Sequence, residues 1–213
     1  MVQIDIYSDL VCPWCFIGKR RLERAIAARD DIDVSIKWHA FQLNPDMPLV
    51  GMERERYLAM KFGWPQRAAS IYGAVAGAGH SERIPFDFEK IRCMPNTIKS
   101  HRLVCYADRF GIQDTMVEAL FRAFFFEGDN IGEDETLLRV AVLVGLEREA
   151  TATFLASEDE RDTVLAEDLR ARRMGISAVP YYLVNGDYGI SGAQDSEAFF
   201  PLFDLARNAL VAE

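Results

Sequence analysis

Two segments near the start of the chain alternate between apolar and polar residues. Apolar residues occupy every second position from Val2 to Ile6, and residues 32–38 repeat the alternation. This period of two predicts two half-buried strands. Between them a helix is predicted to begin at Pro13, and its apolar side is formed by Cys15, Gly18, Leu22, Ala25 and Ile26. The first forty residues therefore predict a β-α-β unit with parallel strands and a right-handed crossover.

Helical spacing of the apolar residues dominates the middle of the chain. Glycines stand at several positions where a helix would end, which marks the helix boundaries. The predicted helices are Glu53–Phe62, Pro65–Ala78, Thr97–Phe110, Thr115–Phe126, Glu133–Val144, Ala150–Ala156 and Asp159–Met174.

Strand signals return near the end of the chain. Tyr181–Val184 and Tyr188–Ser191 flank Asn185-Gly186, a dipeptide typical of tight β-hairpins. A last amphipathic helix follows, in which Pro201 marks either a kink or a later start, because proline removes a helical hydrogen bond.

One sheet can form from these strands only if the two ends of the chain meet. The order of elements therefore predicts an α/β fold interrupted by a large helical insertion. Residues 1–44 and 160–213 are predicted to form one discontinuous unit, and residues 45–159 are predicted to form the insertion.

Charge and composition narrow the classes of function. The net charge of −9 argues against nucleic acid or an anionic membrane as the main partner. No run reaches the roughly 20 apolar residues of a membrane span. The first residues, "MVQIDIYSD", carry acids where a signal peptide carries a basic region, so we expect them to be a first strand and the protein to be cytoplasmic. A close cysteine pair in that compartment is more often catalytic or metal-binding than a structural disulfide.

Cys12 and Cys15 form such a pair, separated by Pro13 and Trp14. Cys12 stands at the start of the predicted helix, where unpaired N–H groups and the helix dipole favour a thiolate. Cys15 lies one turn further in, close enough for a disulfide, and should be buried. We therefore predict an exposed nucleophile, Cys12, and a sheltered resolving thiol, Cys15. Trp14 is expected to be exposed and to contact a peptide substrate.

A zinc site needs a second pair of ligands with suitable spacing. Cys93 and Cys105 are twelve residues apart and neither lies in a suitable turn, so no metal is predicted. An intermolecular zinc site and two inert buried thiols are the alternatives.

Pro180 precedes a predicted strand, where proline fits only at an edge or at the first residue. That position would face the start of the Cys12 helix. Base rates favour a trans Val179–Pro180 bond. A cis bond would leave the backbone of Val179 free to pair with an extended peptide or with glutathione.

Two motifs resemble a known family. The segments "SDLVCPWCFIG" and "AVPYYLVNGDYGISGAQ" resemble the DsbA-like branch of the thioredoxin fold, and most closely its FrnE-type proteins. The segments "WHAFQLNPDMP", "NTIKSHRL" and "FFFEGDNIGEDETL" are similar to the corresponding parts of that group. The resemblance implies a thioredoxin fold split by a helical insertion, with a cis Pro180 beside the dithiol. It also implies protein-disulfide oxidoreductase or isomerase activity.

The same branch contains kappa-class glutathione transferases and 2-hydroxychromene-2-carboxylate isomerases, in which the resolving cysteine is missing. This chain keeps both sulfurs, which favours disulfide exchange with protein or peptide substrates. A glutathione-dependent isomerase or transferase is the alternative, and a chaperone with a redox-sensing dithiol is a third hypothesis. No bound cofactor is expected, with glutathione a candidate co-substrate. The acidic surface fits a monomer or a dimer.

Three further residues are candidates for the site. Asp9 lies three residues before Cys12 and would serve as an acid or base for the resolving thiol if buried, although a solvated loop carboxylate is the expected case. The resemblance implies that the helix after Asn96 borders the cleft. Asn96 and His101 are therefore candidate substrate contacts, against helix capping and packing as the expected roles.

Overall fold

The structure is a computed structural model that describes residues 1–211. The strands in this range are β1 (Val2–Ser8), β2 (Val34–Ala40), β3 (Met52–Glu53), β4 (Cys93–Met94), β5 (Tyr181–Val184) and β6 (Tyr188–Ser191). Four of them form the main sheet in the order β2-β1-β5-β6, and β3 pairs with β4 in a separate two-stranded sheet.

The main sheet joins the two ends of the chain. β1 runs parallel to β2, with Val2 opposite Val34, and antiparallel to β5, with Ile6 opposite Tyr182. β5 and β6 form a hairpin whose turn residues Asn185 and Gly186 both have positive φ. The predicted β-α-β unit and the predicted hairpin are therefore confirmed.

The α-helices in the described part of the chain are α1 (Pro13–Ala27), α2 (Arg54–Phe62), α3 (Pro65–Ser81), α4 (Ile98–Asp108), α5 (Gln113–Arg122), α6 (Asp134–Leu143), α7 (Arg148–Ala156), α8 (Arg161–Arg173) and α9 (Phe200–Val211). We call residues 54–156 the helical region. Among residues 1–211, no helix combines the length and the apolar character that a membrane span requires. The α/β class with helices between the two halves of the sheet is as predicted, while the domain boundaries at residues 44 and 160 stay a prediction.

Three local features differ from the sequence prediction or refine it. The pairing of β3 with β4 was not predicted, because strands of two residues are too short to show a period. The predicted helix Thr115–Phe126 instead ends as α5 at Arg122 and continues as a π-helical turn, Ala123–Glu127. The last helix begins late: a 3-10 turn, Ser196–Phe199, precedes α9, and Pro201 lies in the first turn of α9.

The outer edge of β2 is covered by side chains. The Gln113 amide accepts from the Trp38 N–H (2.9 Å) and donates to the Trp38 carbonyl (3.1 Å), as a neighbouring strand would. Glu167 of α8 accepts from the Ala40 N–H (2.8 Å), and Asp168 accepts from the Gln42 N–H (2.8 Å). The main-chain groups at the end of this edge, from Trp38 to Gln42, are thus bonded to side chains, which fixes the path of the chain as it leaves the sheet.

Helix α1 packs closely against the start of β5 because Gly18 has no side chain. A Cβ atom at Gly18 would lie 2.2 Å from the Tyr182 hydroxyl oxygen and 2.9 Å from Pro180 Cγ. On another face of α1, the Phe16 ring stacks on Phe121 of the helical region, with 4.9 Å between ring centroids. These two contacts place the start of α1 between Pro180 and the helical region.

Candidate active site

Cys12 stands immediately before the first residue of α1, as the sequence predicts. Its backbone is extended (φ −93°, ψ 110°), and its N–H donates to the Asp9 carbonyl at 3.0 Å. The first turn of α1 contains no acidic residue. The positive end of the helix dipole therefore acts on the Cys12 sulfur without a neutralising carboxylate from that turn.

The Cys12 sulfur is buried, which corrects the prediction of an exposed nucleophile. Only 4% of Cys12 is exposed, because it lies in the same packed cluster as Val11 and Val179. Its thiol donates to the carbonyl oxygen of Val179, with 3.6 Å between sulfur and oxygen. The Val179–Pro180 peptide bond is cis. The dithiol and the proline segment, 167 residues apart in the chain, are thus in contact.

Trp14 is the exposed residue of the motif. It is 38% exposed, whereas Pro13 is half-buried. An apolar ring therefore lies at the surface of this end of α1, with the Cys12 sulfur recessed beside it.

Cys15 is the inner thiol, 1% exposed, and both cysteines are free. Burial raises the pKa of the Cys15 thiol well above its ordinary value, and the hydrogen bond to Cys12 and its charge raise it further. The Ser8 hydroxyl and the Asp9 backbone N–H act in the opposite direction and lower this pKa. Cys15 is therefore a protonated thiol at neutral pH.

Asp9 is buried, which corrects the expectation of a solvated loop carboxylate. It is 1% exposed, and its Oδ2 accepts from the Leu43 N–H at 2.8 Å. Its Oδ1 has no hydrogen-bond partner, although His101 Nε2 lies 3.3 Å away. His101 belongs to α4 and is also buried, so the helical region closes over the loop between β1 and α1. This long-range contact buries a loop that looks solvated in the sequence.

The Asn96 side chain forms hydrogen bonds with backbone groups of the protein itself. Its Nδ2 donates to the Met47 carbonyl at 2.7 Å, and its Oδ1 accepts from the Ile98 N–H at 3.0 Å. Asn96 thus caps the start of α4 and ties it to the loop after β2. These are the capping and packing roles expected for this residue, and its substrate contact stays a prediction.

A cavity of about 350 Å³ is lined by three polar side chains that the sequence did not indicate as site residues, Asn44, Tyr57 and Lys61. Lys61 Nζ donates to the Tyr57 hydroxyl at 2.7 Å, and that hydroxyl donates to Asn44 Oδ1 at 3.3 Å. Burial raises the pKa of Tyr57 to about 12, and the charges of Asp9 and Cys12 act in the same direction. The only signal in the sequence is that Asn44 belongs to the segment "WHAFQLNPDMP".

Trp64 stands at the turn before α3 and is 76% exposed.

The other two cysteines have separate surroundings. Cys93 lies in β4, half-buried, with the Asn130 amide nitrogen 3.7 Å from its sulfur. Cys105 lies half-buried in α4, and burial raises its pKa to about 12. Among residues 1–211 there is no group of three or more histidine, cysteine or acidic side chains arranged to hold a metal ion.

Residues along nearly the whole chain match a known family. A sequence profile of the DSBA-like thioredoxin domain covers residues 3–201. The chain belongs to this family. The DsbA-like thioredoxin fold implied by the two motifs is thereby confirmed, and the family is one of thiol oxidoreductases.

Relatives of this DsbA-like chain include both sequences and solved structures. The uncharacterized protein YwbO of Bacillus subtilis (strain 168) is 28% identical over 199 residues, which are 93% of this chain and 94% of that protein. The crystal structure of a probable DsbA oxidoreductase from Streptomyces coelicolor is 28% identical, with a TM-score of 0.87 over 98% of this chain and 91% of that chain. The cytosolic disulfide reductase DsbM from Pseudomonas aeruginosa, solved with GSH, shares the fold at 18% identity, with a TM-score of 0.63 over 99% of this chain and 98% of that chain.

Proposed function

We propose that this chain is a thiol-disulfide oxidoreductase in which Cys12 is the nucleophile and Cys15 the resolving thiol. The observation that carries the proposal is the contact of the Cys12 thiol with the Val179 carbonyl, at the start of α1 and in front of Cys15. A thiolate at this helix end is stabilised by the dipole, and a second thiol within reach can complete the exchange.

The proposed reaction has two exchange steps. The Cys12 thiolate attacks one sulfur of a substrate disulfide, so that a mixed disulfide forms and the other substrate sulfur leaves as a thiolate. Cys15 then loses its proton and attacks the Cys12 sulfur. The Cys12–Cys15 bond forms, the second substrate sulfur leaves as a thiolate, and both substrate sulfurs take up protons. Two electrons pass from the dithiol to the substrate, and the reverse sequence oxidises a substrate dithiol.

The proposed substrate groove runs along Val179 and Pro180 and is bordered by Pro13 and Trp14. The Val179 carbonyl accepts from the Cys12 thiol in the reduced protein. A bound peptide that displaces this contact can pair with the same backbone. Protein or peptide disulfides are the proposed substrates. The FrnE-type subgroup and a cytoplasmic location stay predictions.

Asp9 is proposed as the base that removes the Cys15 proton. Its backbone N–H is next to the Cys15 sulfur, and its Oδ1 is buried without a hydrogen-bond partner. His101 Nε2, 3.3 Å from that oxygen, can share the proton. A buried carboxylate within reach of a thiol is suited to general base catalysis.

Glutathione is proposed as a co-substrate. DsbM of Pseudomonas aeruginosa, which shares the fold of this chain, was solved with GSH. This supports a second candidate function, a glutathione-dependent isomerase or transferase in which Cys12 activates glutathione and Cys15 is not required.

The test is insulin reduction by the whole chain, with Cys105→Ser as the control for replacing a half-buried cysteine of α4. Cys12→Ser should abolish reduction, while Cys15→Ser should stop at a mixed disulfide that mass spectrometry detects on Cys12. Full activity of Cys12→Ser would refute the proposal. Turnover of an aromatic substrate that needs glutathione and persists in Cys15→Ser would favour the second candidate.

A further inference from the structure

Ser8 is a buried hydroxyl next to the dithiol that no step above uses. It is the last residue of β1 and is 3% exposed. Its side chain shares the sheet face of the buried residues Ile4 and Ile6, because side chains alternate along a strand. The Ser8 Oγ has no hydrogen-bond partner. A buried polar atom of this kind is unfavourable and calls for a reason.

The unpartnered atom belongs to a cluster. Among residues 1–211, eight buried side-chain nitrogen and oxygen atoms lack a partner, and three of them are Ser8 Oγ, Asp9 Oδ1 and His101 Nε2. Ser8 and His101 line one small cavity of about 10 Å³, and His101 lies 3.3 Å from Asp9. Because Asp9 Oδ1 and His101 Nε2 face each other, the Ser8 hydroxyl is the member of this cluster left without a polar partner, and a buried hydroxyl in that state costs stability.

The Ser8 side chain faces α1. Ile6, on the same side of β1, lies opposite Tyr182, whose hydroxyl packs against Gly18 of α1. Cys15 precedes Gly18 by three residues and therefore lies on the same side of the helix. The Ser8 hydroxyl also lowers the pKa of this thiol. In the neutral dithiol the two groups do not meet the geometry of a hydrogen bond. A hydroxyl binds a charged sulfur at shorter range and more strongly than a neutral one.

We propose that Ser8 is a catalytic residue of the resolving step, in which its hydroxyl donates a hydrogen bond to the Cys15 sulfur as that sulfur becomes a thiolate. The inference rests on the proposed function. Asp9 takes the proton, Ser8 keeps its own proton and stabilises the negative charge, and the charge moves to the departing substrate sulfur when the Cys12–Cys15 bond forms. No other oxidant or reductant is needed.

The first test measures the two exchange steps separately in single turnovers with a disulfide peptide. Ser8→Ala should leave the attack of Cys12 unchanged and slow resolution about ten-fold, which corresponds to about 1.4 kcal/mol. The mixed disulfide on Cys12 should then accumulate in acid-quenched samples. Thr151→Val is the matched control, because it also removes a fully buried hydroxyl without a partner, in α7.

The second test follows Cys15 directly. In a Cys12→Ser background, the ¹³Cβ signal of Cys15 reports its titration by NMR. Ser8→Ala should move this titration to higher pH by about one unit, since one unit is a ten-fold change in affinity for the proton. Ser8→Thr, which keeps the hydroxyl, should restore it.

Two results would overturn the role of Ser8: resolution at the wild-type rate in Ser8→Ala, or an unchanged titration of Cys15. Either result leaves the proposed function intact if Cys12→Ser is inactive and Ser8→Ala reduces insulin. Failure of the proposed function has a different signature, which is insulin reduction that does not depend on Cys12.

Discussion

His39 should make the stability of this protein depend on pH. Its Nε2 lies 2.8 Å from Asp5 Oδ1 of β1, and its Nδ1 lies 2.8 Å from Glu167 Oε1 of α8. The Tyr7 ring stacks on it, with 5.0 Å between centroids. Burial would lower the pKa of His39, but the hydrogen bonds and charges of Asp5 and Glu167 outweigh burial and raise the pKa to about 9.

The direction and size of the effect follow from this pKa. The imidazolium is favoured in the folded state, so its stabilisation is fully present below pH 6.5 and is lost as the pH rises through about 9. A rise in the pKa from 6.5 to about 9 corresponds to about 3 kcal/mol of unfolding free energy. This is a large part of the stability of a typical domain.

The assay is urea unfolding under reducing conditions at pH 6, 7.5 and 9.5, followed by circular dichroism. His39→Gln keeps a hydrogen-bonding side chain without the charge. Its unfolding free energy should therefore fall less between pH 6 and 9.5 than that of the wild type. His80→Gln, at an exposed position of α3, should unfold like the wild type. If the wild type and His39→Gln lose stability in parallel from pH 6 to 9.5, the charge assigned to His39 is wrong.

Two further substitutions test the packing and the chemistry around the dithiol. Gly18→Ala should lower the unfolding free energy by about 1–3 kcal/mol, because the new methyl meets Tyr182 and Pro180. Gly77→Ala in α3, where the new carbon would meet no atom within 4 Å beyond its own helical turn, should raise the unfolding free energy by up to about 1 kcal/mol. Effects of the same sign in urea unfolding would contradict this reasoning. Asp9→Asn should slow resolution about 100-fold or more without slowing the attack of Cys12, and stopped-flow single turnovers that resolve at the wild-type rate would exclude Asp9 as the base.

The sequence predicts most of the fold because its signals are local. Alternation of apolar and polar residues marks β1 and β2, and Asn185-Gly186 adopts the positive φ values of a tight hairpin. Most predicted helix ends lie within a few residues of the observed ones, since glycine caps mark them. The pairing of Met52–Glu53 with Cys93–Met94 is set by contacts distant in the chain, and no local pattern encodes it.

The candidate site is only partly visible in the sequence. The spacing of Cys12 and Cys15 after a strand indicates a dithiol at a helix start, and the resemblance adds Pro180. The burial of Cys12 and Asp9 is not visible, because it depends on how the helical region packs on α1 and on the loop before it. Ser8 carries no motif of its own, and its role follows only from the unpartnered hydroxyl beside Cys15.

The two thiols have opposite environments because different parts of the chain build them. The polar groups around the Cys12 sulfur are backbone groups, at the start of α1 and at the Val179 carbonyl. Cys15 is surrounded by buried side chains, among which Asp9 is covered by His101 of the helical region. A change that loosens the packing of this region on α1, such as at the Phe16–Phe121 stack, should therefore admit water to the resolving thiol while leaving the start of the helix in place. Resolution should then be more sensitive than the first attack to the packing between the two parts of the fold.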